Sequence, residues 1–174
     1  MAIEEPAHTV IEREEPFEVR DYQSHVVAET FVDGLFSAVG NEGFQRLFRY
    51  ISGDNRAAEK ITMTAPVEQQ RSGARWRIAF VLPSAYTLAN APRPTDDRVV
   101  LAEAPPRRMA VVCYRGTWSE AHYGKELAVL RKFMGEHGLT AVGEPVFARY
   151  DPPYMPWFLR RNEIQIPVLG PAAH

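Results

Sequence analysis

The sequence predicts an α+β fold in which a strongly curved antiparallel sheet carries two long helices. Segments with the alternation typical of strands outnumber helical segments by about four to one, and many neighbours are close enough along the chain to form hairpins. In addition, the order strand, glycine, helix, glycine, strand occurs twice, around Gly34 and Gly53 and again around Gly116 and Gly138. This recurrence predicts an internal duplication packed as a pseudo-twofold pair.

The length of 174 residues is that of one domain. We therefore expect a single domain over residues 1–174, with one half at about 9–67 and the other at about 75–168. The 20 Lys and Arg nearly balance the 22 Asp and Glu, which gives no electrostatic reason for the chain to bind nucleic acid. The oligomeric state cannot be predicted from these observations.

The single cysteine, Cys113, excludes an internal disulfide and a thiolate zinc cage, and it indicates a reducing compartment. The acidic N-terminus lacks the basic start and apolar stretch of a secretory signal, and no apolar run approaches the ~20 residues of a membrane span. We therefore expect a cytoplasmic protein that does not insert into a membrane.

The first half opens with strand signals. Phe17–Tyr22 alternates and Val26–Val32 is rich in β-branched residues, so the polar pair between them predicts a hairpin. After Gly34 the apolar residues recur with the spacing of one helix face, and the helix is expected to end near Gly53. Its apolar face consists of Phe44, Leu47, Phe48 and Ile51. Lys60–Val67 alternates again and predicts a strand ending at Pro66.

The second half repeats this plan. Thr117 and Glu120 have the spacing of a capping box, and Gly138 is expected to end the helix that they begin. The inward stripe of that helix consists of Tyr123, Leu127, Leu130 and Met134. Alternation predicts strands at Arg75–Leu82, Val99–Glu103, Met109–Arg115, Val146–Tyr150 and Asn162–Val168. Two proline-rich loops, Pro83–Asp97 and Asp151–Arg161, are either binding elements or rigid connectors.

No catalytic signature is present: the sequence lacks a G-x-S-x-G elbow, a Walker loop and a G-x-G-x-x-G motif. None of the five histidines forms an i, i+4 pair of the kind that binds metals on a helix. The absence of a readable nucleophile–base pair argues against an enzyme without excluding one. Glu163, at a strand entrance, has two interpretations: it anchors a cationic ligand or acts as a base, or it forms a structural ion pair with Arg160 or Arg161.

The first helix indicates a binding site more directly. Its apolar face is flanked by Arg46 and Arg49, and Arg56 and Lys60 follow soon after. Flat aromatic ligands that carry carboxylates need this combination of a wide apolar surface with nearby cations. The alternative is that the apolar residues belong to the core and the arginines are only solvated.

Several separated motifs resemble the SOUL haem-binding protein family over about Thr9–Val168. They are Phe44-x-x-Leu47-x-x-Tyr50-Ile51-x-Gly53-x-Asn55, Lys60-Ile61-x-Met63-Thr64-x-Pro66-Val67, Pro92-x-Pro94, Tyr150-Asp151-x-Pro153 and Arg161-Asn162-Glu163. The resemblance implies a distorted antiparallel β-barrel with two long helices, the fold also seen in effector-binding domains of multidrug-sensing regulators. It further implies cytosolic, non-covalent binding of haem or another tetrapyrrole.

In the family, haem lies in an apolar cleft beside the first helix, with basic side chains near its propionates. The resemblance therefore implies a site in which Arg49 is the propionate partner. The other candidates for this site are Phe44, Leu47 and Phe48 as macrocycle contacts, together with Arg46 and Met63. Some members use a histidine as iron ligand where this chain has Asp21, which leaves His25 and His122 as weak candidates, with Met63 and Tyr50 weaker still.

We therefore expect a tetrapyrrole-binding protein that acts as a carrier, buffer or sensor. Two other functions remain open: a general binding module for flat hydrophobic ligands, including cations held by Glu163, and an enzyme acting on a tetrapyrrole.

Overall fold

The computed structural model describes residues 3–170 of the chain. Its strands and helices, in chain order, are β1 (His8–Glu14), β2 (Phe17–Tyr22), β3 (His25–Val32), α1 (Phe36–Ile51), β4 (Val67–Ser72), β5 (Arg75–Val81), β6 (Val100–Ala104), β7 (Arg107–Arg115), α2 (Glu120–Glu136), β8 (Val146–Arg149), a 3-10 helix (Trp157–Leu159) and β9 (Arg161–Val168). The α+β class and the two long helices are thereby confirmed.

The chain divides into two compact units. The first contains the residues up to Pro6 together with Ser24–Pro105, and the second contains Ala7–Gln23 together with the residues from Pro106 onward. Because the chain leaves the second unit after β2 and returns to it before β7, these units do not coincide with the two halves predicted from the sequence.

The first unit is an antiparallel sheet in the order β4-β5-β3-β6. Helix α1 packs on β3 and β5, and its buried residues join a core with Val32, Ile78 and Phe80. The approach of α1 to β5 depends on Gly43, because a Cβ at this position would lie closer to the side chain of Ile78 than packed carbon atoms allow. A small residue therefore sets the distance between this helix and the sheet.

The second unit is an antiparallel sheet in the order β1-β2-β7-β9-β8. Helix α2 packs on β7 and β9, and it buries Leu130, Phe133 and Met134 against Val112 and Ile164. Of the inward stripe predicted for this helix, Leu130 and Met134 are in the core, and Tyr123 and Leu127 pack against it as partly buried residues.

The two strand-to-helix junctions have the same local structure. Gly34, between β3 and α1, has φ +139°, and Gly116, between β7 and α2, has φ +135°. Residues other than glycine are strained at such positive φ values, which explains why both junctions carry glycine. Each unit thus contains the repeated order of strand, glycine and helix that predicted the duplication.

Three local predictions are wrong. Strands β2 and β3 do not form a hairpin, since β2 pairs with β1 and β7 whereas β3 pairs with β5 and β6. Residues 60–66 form an extended segment outside the sheet, and β4 begins only at Val67, after Pro66, which has no N–H to donate. The N-cap of α2 is Ser119 in place of Thr117, since its hydroxyl accepts from the N–H of His122.

Candidate functional site

An open groove lies beside the C-terminal end of α1 in the first unit. It has a volume of about 350 Å³ and is lined by Phe48, Ile51, Ser52, Lys60, Ile61 and Met63. Phe48 and Ile51 are one helical turn apart and therefore share a face of α1, while Lys60, Ile61 and Met63 come from the segment that follows the helix. The groove combines an apolar lining with one cation, Lys60, and we call it the α1 groove.

The turn that connects α1 to this extended segment is held by Asn55, which is buried. Its amide nitrogen donates to the carbonyl oxygens of Tyr50 (3.0 Å) and Glu59 (2.8 Å), and its carbonyl oxygen accepts from the N–H groups of Ala57 (3.2 Å) and Glu59 (3.1 Å). The N–H of Ile61 then donates to the carbonyl of Ile51 at 2.8 Å. These bonds fix the two walls of the α1 groove relative to each other.

Tyr50 and Thr64, two residues of the quoted motifs, are neighbours in sequence of the lining residues Ile51 and Met63 and form buried hydrogen bonds. The hydroxyl of Tyr50, which is buried, donates to the carbonyl of Pro92 at 2.7 Å, and the hydroxyl of Thr64 donates to the carbonyl of Val81. The N–H of Arg56 donates to the carbonyl of Arg93 at 2.9 Å. The Pro83–Asp97 loop is therefore hydrogen-bonded to α1 and to the turn that follows it.

The predicted apolar residues occupy different depths. Phe48 is 45% exposed and lines the α1 groove, as does Met63, whereas Leu47 is fully buried in the core and does not reach the groove. Phe44 is half-buried, and its ring stacks on that of Phe48 at 5.7 Å and packs on Phe80 at 5.3 Å. Phe44 thus supports Phe48 from the core side.

The predicted arginines also separate. The guanidinium of Arg46 donates to the hydroxyl of Thr30 (3.1 Å), the carbonyl of Phe31 (3.2 Å) and the carboxylate of Glu42 (2.6 Å), which ties it to β3 and to its own helix. Arg49 is exposed on the last turn of α1. Sequence reasoning did not name Ile51, Ser52 and Ile61 as lining residues, although Ile51 belongs to the predicted apolar face of the first helix and Ile61 to the alternating K-I-x-M segment.

The histidine candidates are not in the α1 groove. His122 is held within the second unit, where its ring lies 4.9 Å from that of Tyr114 and its Nδ1 lies 3.3 Å from the hydroxyl of Thr117. His25 is the first residue of β3. Asp21 forms an ion pair with Arg108 at 2.8 Å, which lowers the pKa of its carboxyl group.

Glu163 lies in a buried polar network of the second unit. Its carboxylate accepts hydrogen bonds from Arg20 (2.7 and 2.9 Å), Tyr150 (2.9 Å), Gln165 (2.9 Å) and Arg161 (3.0 Å). The structural interpretation of Glu163 is therefore correct, with Arg20 as the main partner and Arg161 as a second one. Arg160 instead donates to two loop carbonyls, those of Pro153 and Met155.

The protonation states follow from this pairing. Burial alone would raise the pKa of Glu163, but the hydrogen bonds and positive charge of Arg20 lower it to about 2. Burial and the negative charge of Glu163 raise the pKa of the Cys113 thiol to about 12. Glu163 is thus an anion whose charge is already neutralised within the protein, which removes the support for a cationic ligand at this residue.

No helix within residues 3–170 combines the length and the hydropathy needed to cross a bilayer. Over the same residues, no group of three or more His, Cys, Asp or Glu side chains is placed to hold a metal ion.

Comparisons with known proteins agree with the motifs. The chain is 29% identical to Heme-binding protein 1 of Xenopus tropicalis over 156 residues, an alignment that covers 85% of this chain and 81% of that protein. It is 26% identical over 164 residues to Heme-binding protein 2 of Mus musculus, with coverage of 84% and 79%.

The fold also has a solved counterpart in the C-terminal domain of EcmrR, with a TM-score of 0.70 at 12% identity and coverage of 88% of this chain and 96% of that one. This likeness concerns the fold alone, and it confirms the fold that the sequence motifs led us to expect. The family model described as SOUL heme-binding protein matches residues 3–167. The chain therefore belongs to the SOUL heme-binding protein family.

Proposed function

We propose that this protein binds haem or another tetrapyrrole non-covalently in the α1 groove and acts as a carrier, buffer or sensor. The observation that carries the proposal is an apolar groove with a cation in its wall, formed by the motif segments of a SOUL-family chain. The relatives named for haem binding support the same ligand class.

The residues present fit such a ligand. Phe48, Ile51 and Met63 provide apolar surface for a macrocycle, while Lys60 in the wall and the exposed Arg49 provide cations for propionates. The volume of about 350 Å³ is near the lower end of the roughly 300–1,000 Å³ found for small-molecule pockets. A bound macrocycle would therefore keep one edge in solvent, which suits reversible loading.

The chemistry of the chain favours binding without covalent attachment. Attachment of the c-type needs two cysteines, and this chain has one. No histidine lines the α1 groove. The protein would offer bound haem an apolar surface and cations, but no histidine to coordinate its iron. Affinity would therefore depend on the macrocycle more than on the iron.

The test is an absorbance titration of the purified protein with haemin, with Phe48→Glu as the disrupting variant. Phe48 is 45% exposed, so a glutamate there would leave the fold intact but place an unpaired charge against the macrocycle. Val100→Glu is the matched control, since Val100 is 47% exposed in the same unit and does not line the groove. We expect Phe48→Glu to weaken haemin binding by at least about tenfold, and Val100→Glu to leave it unchanged.

Equal affinity in both variants would show that haemin does not bind in the α1 groove. A wild-type protein that binds no haemin, no protoporphyrin and no other tetrapyrrole at micromolar concentrations would reject the proposed function as a whole.

A further inference from the structure

A second set of cations surrounds an indole in the second unit, and it has no part in the proposed function. The guanidinium carbon of Arg160 lies 4.4 Å from the ring centroid of Trp118, and that of Arg149 lies 5.2 Å from the same centroid. Two cations on one aromatic ring repel each other, so this arrangement is favourable only when an anion or solvent compensates them.

Arg149 has no anionic partner within residues 3–170, and its side chain is only partly exposed to solvent. Its Nε–H is buried without a hydrogen-bond partner, although almost every buried polar group in a folded protein has one. Burial is the cause that lowers the pKa of this guanidinium to about 10, and no carboxylate counteracts it. Arg149 thus carries a desolvated positive charge that lacks an acidic partner.

The neighbouring arginines also lack acidic partners. Arg160 donates to the carbonyl oxygens of Pro153 (2.7 Å) and Met155 (3.0 Å), and Arg115 donates to the carbonyl of Leu159 at 2.7 Å. Of the carboxylates in this part of the second unit, Glu163 pairs with Arg20, while that of Asp151 accepts from the neutral backbone N–H of Arg161 and keeps its charge. The three arginines therefore outnumber the remaining carboxylate, and positive charge is in excess here.

The frame that holds this cluster is rigid. The indole N–H of Trp118 donates to the side-chain oxygen of Asn162 at 2.8 Å, and Asn162, which is fully buried, donates to the carbonyl of Gly116 at 3.0 Å. The N–H of Gly116 donates in turn to the carbonyl of Arg160 at 3.1 Å. A site held in place before its ligand arrives loses little conformational entropy on binding.

Aromatic surface accompanies the charge. The short 3-10 helix that precedes Arg160 exposes Trp157 (58%) and Phe158 (57%), whose ring centroids are 5.7 Å apart. Guanidinium groups bind planar carboxylates in a bidentate manner, and exposed rings add stacking surface for an aromatic ligand. Positive charge and aromatic surface together indicate a ligand that is both anionic and aromatic.

We propose that Arg149 and Arg160, on either end of the Asp151–Arg161 loop and both against Trp118, form a binding site for a small aromatic carboxylate. The site is built from residues of the second unit alone, and none of them lines the α1 groove. It therefore does not depend on whether the α1 groove binds a tetrapyrrole.

The test measures the fluorescence anisotropy of 4-(1-pyrenyl)butyrate as the protein is added, beside the primary amide of the same compound. We expect Arg149→Gln and Arg160→Gln each to weaken binding of the carboxylate by about tenfold, and to leave the weaker binding of the amide unchanged. Arg75→Gln is the matched control, because Arg75 also lies over a ring, that of Phe31 at 4.9 Å, but in the first unit. The control variant should bind like the wild type.

Equal binding of carboxylate and amide by the wild type would overturn the proposal. So would a loss of carboxylate binding in Phe48→Glu that neither arginine variant shows, since the probe would then lie in the α1 groove. Thermal unfolding of every variant accompanies the titrations, and the two arginine positions give independent readings if one variant fails to fold.

Discussion

The guanidinium of Arg20 and the carboxylate of Glu163 meet edge to edge, with Nη1 2.7 Å from Oε1 and Nη2 2.9 Å from Oε2. Arg20 is 3% exposed and Glu163 is fully buried, so both charges are removed from water. The pair is compensated by further hydrogen bonds from Tyr150 and Gln165, which is the condition under which a buried ion pair is tolerated. The glutamate of the R-N-E motif is thus a structural residue of the second unit.

Replacing one partner should leave the other as a buried charge without compensation. We expect Glu163→Gln to lower the free energy of unfolding in urea by about 3–5 kcal/mol. The double variant Arg20→Met with Glu163→Met should recover part of this loss, because neither charge then remains. A Glu163→Gln protein as stable as the wild type would contradict the structural role of the pair.

The same pair should make stability sensitive to acid. The pKa of Glu163 is lowered from 4.5 to about 2, so its contribution is complete above pH 4.5 and is lost as pH falls toward 2. Urea unfolding between pH 5 and pH 2, a range of about three units, should have a smaller pH slope in Glu163→Gln than in the wild type, and an equal slope in the two proteins would contradict this expectation.

Gly43 sets the spacing between α1 and β5. A methyl group in Gly43→Ala would overlap the side chain of Ile78, so we expect destabilisation by about 1–3 kcal/mol despite the better helix propensity of alanine. Gly124→Ala on α2 is the matched variant, because a Cβ there meets nothing within 4 Å, and it should stabilise by about 0.5–1 kcal/mol. Changes of the same sign in thermal unfolding of both variants would show that contact with Ile78 does not limit the helix position.

Iron should contribute little to ligand affinity, because no histidine lines the α1 groove. We expect iron-free protoporphyrin to bind within about tenfold of haemin, a difference of ~1.4 kcal/mol, in parallel absorbance titrations. A sharp low-spin bis-histidine spectrum that disappears in His25→Ala or His122→Ala would contradict this expectation.

The cations beside the α1 groove should contribute modestly, since water competes for exposed charge pairs. We expect Arg49→Ala and Lys60→Ala each to weaken haemin binding by about three- to tenfold, and Arg46→Ala to have no direct effect because its guanidinium is bonded to Thr30 and Glu42. If Arg160 substitutions lower haemin affinity while Arg49→Ala and Lys60→Ala do not, the ligand lies against the Asp151–Arg161 loop.

Strands that pack apolar side chains into the core were predictable from the sequence, and an exposed one was not. Alternation identified β5 and β9, because apolar side chains of these strands pack into the core. Strand β1 is charged and largely exposed along its length, so it has no apolar face to reveal it. Residues 60–66 misled in the other direction, because their sequence alternates as a strand would but they form no strand. Some of their side chains are exposed and others are buried, although the segment lies outside the sheet.

The candidate site could be located to a helix but not to a face. Leu47 and Phe48 are adjacent and both belong to the apolar stripe, yet the first is fully buried and the second is 45% exposed. Periodicity describes the width of a stripe, and only the packing of α1 on β3 and β5 decides which edge stays open. The partner of Glu163 was equally hidden, because Arg20 is 143 residues away and reaches it only through the pairing of β2 with β7 and of β7 with β9.

The interleaving of the two units along the chain has a consequence for synthesis. All strands of the first unit have left the ribosome once Ala104 has emerged, so this unit can fold while translation continues. The hairpin of β1 and β2 is made earlier but must wait for β7, and an isolated two-stranded hairpin is only marginally stable in water. Strands β1 and β2 are thus made before the first unit is complete but paired in full only after it, and a fragment ending near Pro105 would carry β2 with an unpaired edge open to association with other chains.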